Sequence, residues 1–182
     1  MQSVAGGGIQ IRSALAGDAG LLATLGLETF RDSFAEFSPP DDMAAYLAAS
    51  FGPGVQAAEL AEASSLFLIA QIDADPVGYA RVRLGAPPGL AIGQRPIEIV
   101  RFYSRREWIG RGAGPALMRA CLREAGRWEC DRIWLGVWEL NHRALAFYRT
   151  WGFGKVGARL FRLGDDVSTD LIMHRPVEIE GN

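Results

Sequence analysis

A one-domain α/β fold is predicted for this chain, and three observations carry the reading. Residues 96–115, P-I-E-I-V-R-F-Y-S-R-R-E-W-I-G-R-G-A-G-P, pass from a β-forming run through alternate glycines into a helix start. On either side, segments with an apolar period of two alternate with segments of period 3.6. With 182 residues, 49% of them hydrophobic, there is ample material for one core.

In chain order, the glycine-rich start (1–8) is expected to be a flexible leader, residues 9–177 the domain and 178–182 a tail. Residues 9–13 form a first strand, followed by a helix capped by Asp18 that runs through Leu21, Leu22, Leu25 and Phe30. The break at Ser38-Pro39-Pro40 precedes a second helix from Asp41 or Asp42 through Met43, Tyr46 and Leu47. Gly52-Pro53-Gly54 ends it, and a short third helix covers 56–63. Strands at 66–72 and 77–84 are joined by the hairpin turn D-A-D-P. Residues 85–94, with two prolines and three glycines, form a surface loop able to lie over the site.

Residues 97–104 read as a central strand, with Glu98, Val100, Phe102 and Ser104 on one face and Ile99, Arg101 and Tyr103 on the other. The next helix has an apolar face of Leu117, Met118, Cys121, Leu122, Ala125 and Trp128, opposite a stripe of Arg119, Arg123 and Arg127. A buried strand at 133–138, a helix at 141–151 and a closing pair of strands at 153–162 and 169–173 complete seven strands.

A net charge of −2 and a pI near 5.7 speak against a nucleic-acid binder. The charge is unevenly spread: residues 1–65 carry eight acids and two bases, whereas the remainder carries thirteen acids and seventeen bases. Two cysteines, Cys121 and Cys130, are too few to staple the domain, which points to a reducing, cytoplasmic setting. His142 and His174 lack ligand spacing, so no metal is expected. No membrane-spanning run or secretion signal is expected either.

The chemistry begins at the glycines. Gly110, Gly112 and Gly114 are expected to open positive-φ positions and to let a ligand approach the main chain, with Pro115 in the first turn of the following helix. Free amides and the helix dipole would converge there on an anion, most naturally a phosphate. No Gly-Lys-Ser/Thr ending is present, and the glycine order and late position do not match the dinucleotide fingerprint. Taken alone, such a loop equally fits a tight strand-to-helix turn.

A second stretch, L-G-V-W-E-L-N-H-R-A-L-A-F-Y-R-T-W-G-F (135–153), gives the loop its context. Together they resemble the GCN5-related N-acetyltransferase family over nearly the whole chain: Ile109–Gly114 is similar to that family's pyrophosphate loop, and Asn141, Phe147, Tyr148, Gly152 and Phe153 to its downstream motif. The resemblance implies a central mixed, twisted sheet of about seven strands, splayed between the fourth and fifth, with about four helices. It also implies acetyl-CoA as co-substrate, bound by Ile109, Gly110, Arg111, Gly112, Ala113, Gly114 and Pro115, by the backbone of Phe102, Tyr103 and Ser104, and by Asn141 and Tyr148. Ile109 departs from the family's Gln or Arg, and Arg105, Arg106 and Arg111 are candidates to supply the lost charge.

An amine attacks a thioester only when neutral, and a free alkyl ammonium has a pKa of about 10.4, so a base is needed. By resemblance Glu98 is the catalytic base, with a structural ion pair to Arg81, Arg83 or Arg101 as the competing reading. Tyr148 matches the residue that protonates the departing sulfur; a core aromatic is its competing role. Asn141 also suits a helix cap. Cys121 reads as a core hydrophobe, and Trp134, Trp138 and Trp151 as core rather than a recognition cage.

The pieces E-T-F-R-D-S-F-A, L-G-V-W-E-L-N and G-A-R-L-F-R-L-G-D-D-V-S-T-D-L-I-M look like the bacterial polyamine acetyltransferases of the PaiA type. That likeness implies a small-molecule amine, spermidine or spermine, acetylated by direct attack in a ternary complex. Glu28, Asp32 and Glu36, four apart on one helix face, are the candidate seat for it, or else a solvated stripe. Protein N-termini, amino acids and drug amines remain alternative acceptors, a non-catalytic acetyl-CoA sensor is the alternative class, and a homodimer is compatible with the sequence.

Overall fold

The computed structural model describes residues 8–37 and 39–178. The expected leader and tail therefore fall, apart from Gly8 and Glu178, outside the described residues, as does Ser38. The elements run β1 (Gln10–Ser13), α1 (Ala19–Phe34), α2 (Pro40–Phe51), α3 (Pro53–Leu60), β2 (Ser65–Ile72), β3 (Asp75–Leu84), β4 (Pro96–Ser104), α4 (Ala113–Arg127), β5 (Arg132–Trp138), α5 (His142–Thr150), β6 (Gly154–Leu163) and β7 (Asp166–Pro176). Seven strands form one mixed sheet in the order β1-β2-β3-β4-β5-β7-β6, and β4 and β5 are its parallel pair. Among the described residues no helix is long and apolar enough to cross a membrane.

Local chemistry accounts for the joints. Asp73 and Ala74 both take positive φ (48° and 69°), the geometry of a two-residue turn whose twist suits the β2–β3 hairpin. Asp18 stands at the N-cap of α1, but its carboxylate does not cap that helix. It accepts from Arg12 at 2.7 and 2.9 Å and from the Leu15 amide at 2.7 Å, and the Arg12 hydrogen bond holds its pKa below the usual range.

Each face of the sheet carries its own core. Leu117, Met118, Cys121 and Ala125 of α4 and Leu145 and Tyr148 of α5 pack with Ile97, Ile99, Ile133, Leu135 and Val137 on one face. On the other, α1 sets Leu22 and Leu25 against Phe67, Ile69 and Tyr79, and Phe30 against Met43, Leu47 and Phe51 of α2.

Two features of β4 shape everything near it. Its pairing with β5 runs only from Pro96↔Arg132 to Ile99↔Leu135, so beyond Ile99 the two strands part into a V. Against β3, Val82 faces Ile99 and Arg81 faces Arg101, which leaves Val100 as an unpaired bulge residue. The bulge corrects the expected alternation. Glu98 shares a face with Arg101 and Tyr103, opposite Arg83, Arg81 and Tyr79, while Ile97, Ile99 and Phe102 lie in the core under α4.

The α1–α3 face also buries charge. Arg81 is 2% exposed; it bonds Glu59 and Glu62, each at 2.6 Å, and Ser65 at 2.9 Å. Glu59 also pairs with Arg101, whose guanidinium reaches the Ser50 carbonyl at 3.0 Å and lies over the Phe51 ring. This network fixes α3 and the end of α2 to the middle of the sheet. The loop between β3 and β4 is tied down elsewhere: Gly85 O accepts from Trp134 at 2.7 Å, and Ile92 packs with Trp134 and Ile172. It does not lie over the cleft described next.

Candidate active site

A cleft of about 830 Å³ occupies the V and continues onto the α1–α2 face. At one end stands the glycine turn. Gly110 (φ 77°) and Gly112 (φ 97°) take the left-handed conformation as expected, and Gly112 is the N-cap of α4. The amides of Gly112, Ala113 and Gly114 therefore have no carbonyl to bond within the helix, and the dipole stands behind them. Gly114 differs from expectation: it is helical, and a Cβ there would meet Phe147 at an ordinary 3.5 Å.

Ile109, Gly110, Gly112, Gly114 and Pro115 line the cleft, whereas Ala113 is fully buried in the α4 core. Arg111 stands over the Trp108 ring and Arg105 pairs with Glu28 and Asp75, each at 3.3 Å; neither lines the cleft. Arg143, in the first turn of α5, lines the cleft together with Arg101 and Arg159, and only its place two residues after Asn141 signalled it.

In the V itself, Val100–Ser104 of β4 present an edge with no strand partner on the β5 side, and Phe102, Tyr103 and Ser104 all line the cleft. Such an edge can pair with an extended, amide-bearing arm as a strand would. Phe102 packs against Phe147 and Tyr148 at ring separations of 5.7 and 6.1 Å. Tyr148 faces the cleft from the α4–α5 side, its hydroxyl without a hydrogen-bond partner among the described residues, and burial pushes its pKa up. A neutral phenol with an uncommitted O–H can donate to a developing thiolate. Cys121 is fully buried, and its thiol is pushed up to about 12, which suits a core residue. Asn141 caps α5, its Oδ1 accepting from the Ala144 amide at 3.1 Å, and lines the cleft as well.

On the opposite side of the V lies Glu98, buried, with Oε2 bonded to Arg83 at 2.9 Å. Among the described residues its Oε1 has only Arg159 at 3.7 Å, so this oxygen is the one open to accept a proton. Arg159 is also 3.6 Å from Asp170 and lies over the Trp134 ring. Burial raises the Asp170 pKa and Arg159 opposes the shift. Asp166 and Asp170, in the β6–β7 hairpin, also line the cleft; in the sequence they carry no site role beyond their place in the PaiA-like piece 157–173.

Phe34 and Phe37 pack edge-on against Trp138 and, with Tyr46 and Phe161, give this half of the cleft an aromatic wall. Trp138 is thus a wall residue rather than core. Glu28, Asp32 and Glu36 are exposed and do not line the cleft, because α1 turns Phe30, Ser33 and Phe34 toward it instead. Among the described residues no group of three His, Cys, Asp or Glu could hold a metal ion.

Amides without acceptors beneath two left-handed glycines, an open strand edge and a phenol beyond it form a continuous path fitted to coenzyme A. Comparison with known proteins agrees. The acetyltransferase (GNAT) family profile matches residues 27–153. An uncharacterized N-acetyltransferase of Lactobacillus delbrueckii subsp. lactis is 30% identical over 81% of this chain and 86% of its own. One from Mycobacterium bovis is 33% identical over 87% and 97%.

Among solved structures, the PaiA N-acetyltransferase of Thermoplasma acidophilum in complex with coenzyme A is similar with a TM-score of 0.77, at 18% identity over 93% of this chain and 99% of its own. The ribosomal-protein-S18-alanine N-acetyltransferase of Escherichia coli is similar with a TM-score of 0.69, at 15% identity over 96% and 97%. One of these neighbours is named for a protein acceptor and the other for none, so the shared fold leaves the acceptor to the details of the cleft. The chain belongs to the acetyltransferase (GNAT) family and is an N-acetyltransferase with acetyl-CoA as its co-substrate.

Proposed function

We propose that the acceptor is a primary amine of a polyamine such as spermidine or spermine, acetylated by direct attack in a ternary complex. The observation that carries this reading is the acceptor half of the cleft, where Glu98, Asp166 and Asp170 line an aromatic wall beside Arg159, while Arg83 and Arg101 are hydrogen-bonded to Glu98 and Glu59 respectively. Carboxylates and ring faces both attract alkyl ammonium groups. The resemblance to PaiA-type enzymes supports the same class. The outer stripe of Glu28, Asp32 and Glu36 contributes at most to long-range attraction, since it lies outside the cleft.

Bound acetyl-CoA supplies a thioester carbon open to attack and a thiolate leaving group. The backbone from Ile109 to Pro115, including the amides of Gly110, Gly112, Ala113 and Gly114, would hold its pyrophosphate, with Arg143 adding positive charge; the Arg111 amide already donates to the Trp108 carbonyl at 3.2 Å. The β4 edge at Phe102, Tyr103 and Ser104 would align the pantetheine arm. Glu98 Oε1 takes a proton from the acceptor's ammonium, directly or through one water; the neutral nitrogen forms the amide bond as the carbon–sulfur bond breaks; Tyr148 donates its hydroxyl proton to the sulfur and regains one as the new amide sheds its own. The two roles sit on opposite sides of the V, so acceptor and donor approach from opposite faces of the sheet. Two buried free cysteines suit a reducing, cytoplasmic setting.

The test is a thiol-release assay with acetyl-CoA against spermidine, spermine, amino acids, N-terminal peptides and neutral-ended amines. Polyamines should give the highest kcat/KM, with an advantage that fades as salt is added. A preference for peptides or amino acids would refute the acceptor class while leaving the acetyltransferase intact.

A further inference from the structure

The hairpin β6–β7 places one cation, Arg159, where the proposed acceptor's ammonium has to go. Its Nη1 is 3.7 Å from Glu98 Oε1 and its Nε 3.6 Å from Asp170 Oδ2, so it stands at ion-pair range of both carboxylates and farther from each than an ordinary hydrogen bond. Glu98 is 7% exposed and Asp170 9%, yet the side-chain donor that faces Asp170 among the described residues is Arg159 alone, at a long 3.6 Å. Buried carboxylates ordinarily accept several. The guanidinium fits only because position 136 is glycine: a Cβ there would lie 2.6 Å from Arg159 Nη2. Its side chain is 38% exposed and carried on a flexible stem, so it can leave toward solvent without disturbing the sheet.

We propose that Arg159 is an internal stand-in for the acceptor's ammonium, holding the cation subsite between Glu98 and Asp170 and yielding it to the substrate, which makes it a specificity-determining residue of the cleft. The inference rests on the polyamine reading above. An ammonium is compact and has three donors that rotate freely, so it can hydrogen-bond two carboxylates where the planar guanidinium fork only lies between them. Arg83 remains on the other oxygen of Glu98 throughout, and Asp166 lines the outer part of the same pocket. The exchange is charge for charge, so the buried acids are never left without a counter-ion. A neutral amine cannot make that exchange and is disfavoured.

The experiment compares Arg159→Gln and Arg159→Lys with the wild type in steady-state acetylation of spermidine at saturating acetyl-CoA, with the acetyl-CoA-induced rise in Tm as the check that each variant is folded. Arg159→Gln vacates the subsite and should lower the spermidine KM by up to about tenfold, the scale expected for two half-exposed ion pairs. Arg159→Lys installs a resident ammonium and should raise that KM; it carries the test by itself if the glutamine variant does not fold. Opposite directions from the two replacements are a signature that a structural role for Arg159 does not produce. An unchanged or raised KM in Arg159→Gln, or a loss confined to acceptors that bear a carboxylate, overturns the inference and makes Arg159 a scaffold or a carboxylate clamp. Failure of the wild type to acetylate any polyamine overturns the acceptor class first, and this inference with it.

Discussion

Replacing Glu59 with glutamine should destabilise the protein far more than the same change at Glu62, three residues along. Among the described residues Glu59 alone bridges Arg81 and Arg101, whose side chains are 2% and 11% exposed, and its own is 15% exposed. Glutamine keeps the shape and some hydrogen bonding but removes the charge, leaving two guanidiniums on the α1–α3 face with Glu62 as their remaining carboxylate. Removing one partner of a buried pair costs about 3–5 kcal/mol. The lower bound of about 3 kcal/mol is the appropriate figure here, because Ser65, the Ser50 carbonyl and the Phe51 and Phe67 rings still hold the arginines. At roughly 2–4 °C per kcal/mol for a domain of this size, Tm should fall by about 6–12 °C. Glu62 is 40% exposed and meets only Arg81, so Glu62→Gln should cost under about 1 kcal/mol. Urea unfolding and thermal melts of the two variants, run side by side, measure the difference. Equal losses, or a Glu59→Gln loss below 1 kcal/mol, would mean that the network is not what fixes α3 to the sheet.

Three further outcomes bear on the site. Gly114→Glu should fold, since Gly114 is helical and unstrained, yet lose the rise in Tm that acetyl-CoA produces by mass action. Gly112→Glu should lose it too while paying about 1–2 kcal/mol for a side chain at φ 97°; a full rise in both variants places the phosphates elsewhere. Tyr148→Phe should lower kcat by about 10²-fold with acetyl-CoA affinity unchanged, and wild-type turnover would return Tyr148 to the core. Glu98→Gln should lose activity at neutral pH and regain part of it as pH rises, because more of the acceptor amine is then neutral without help from a base. Assayed with a small amine of known pKa, a wild-type rate and profile in that variant would reduce Glu98 to the partner of Arg83.

What the sequence made legible was whatever depends on neighbours in the chain. The glycine turn at Gly110 and Gly112, the Asn141 cap and the apolar face of α4 are all set within a few residues, and all appear where the periodicity and turn chemistry put them. The spacing of Glu28, Asp32 and Glu36 put the three on one helix stripe; Glu28 and Asp32 share α1, whereas Glu36 falls in the 3-10 turn that follows it, and spacing does not say which way a stripe points. Phe30 and Phe34, on the same helix, take the inward side because burying them gains more than burying acids. Arg159 and Asp170 meet Glu98 only through the pairing of β5, β7 and β6, across more than sixty residues, and no local pattern announces that. The bulge at Val100 was equally hidden, since it is a property of how β4 registers against β3.

That bulge links stability to chemistry. Without it, strict alternation would put Arg101 on the face of Ile97 and Ile99, beneath α4 among Leu117, Met118 and Cys121, and away from Glu59. With it, Arg101 reaches Glu59 and Phe102 turns under α4 and α5 to meet Phe147 and Tyr148. A bulge also bends its strand. The pairing of β4 with β5 stops at Ile99, the residue before the bulge, so the V opens where the bend begins. One extra residue therefore sets Glu98 on the acceptor side and Phe102 on the donor side, and opens between them the gap through which an acetyl group can pass. The buried pair between Arg101 and Glu59 holds the strand in the register that keeps that gap open.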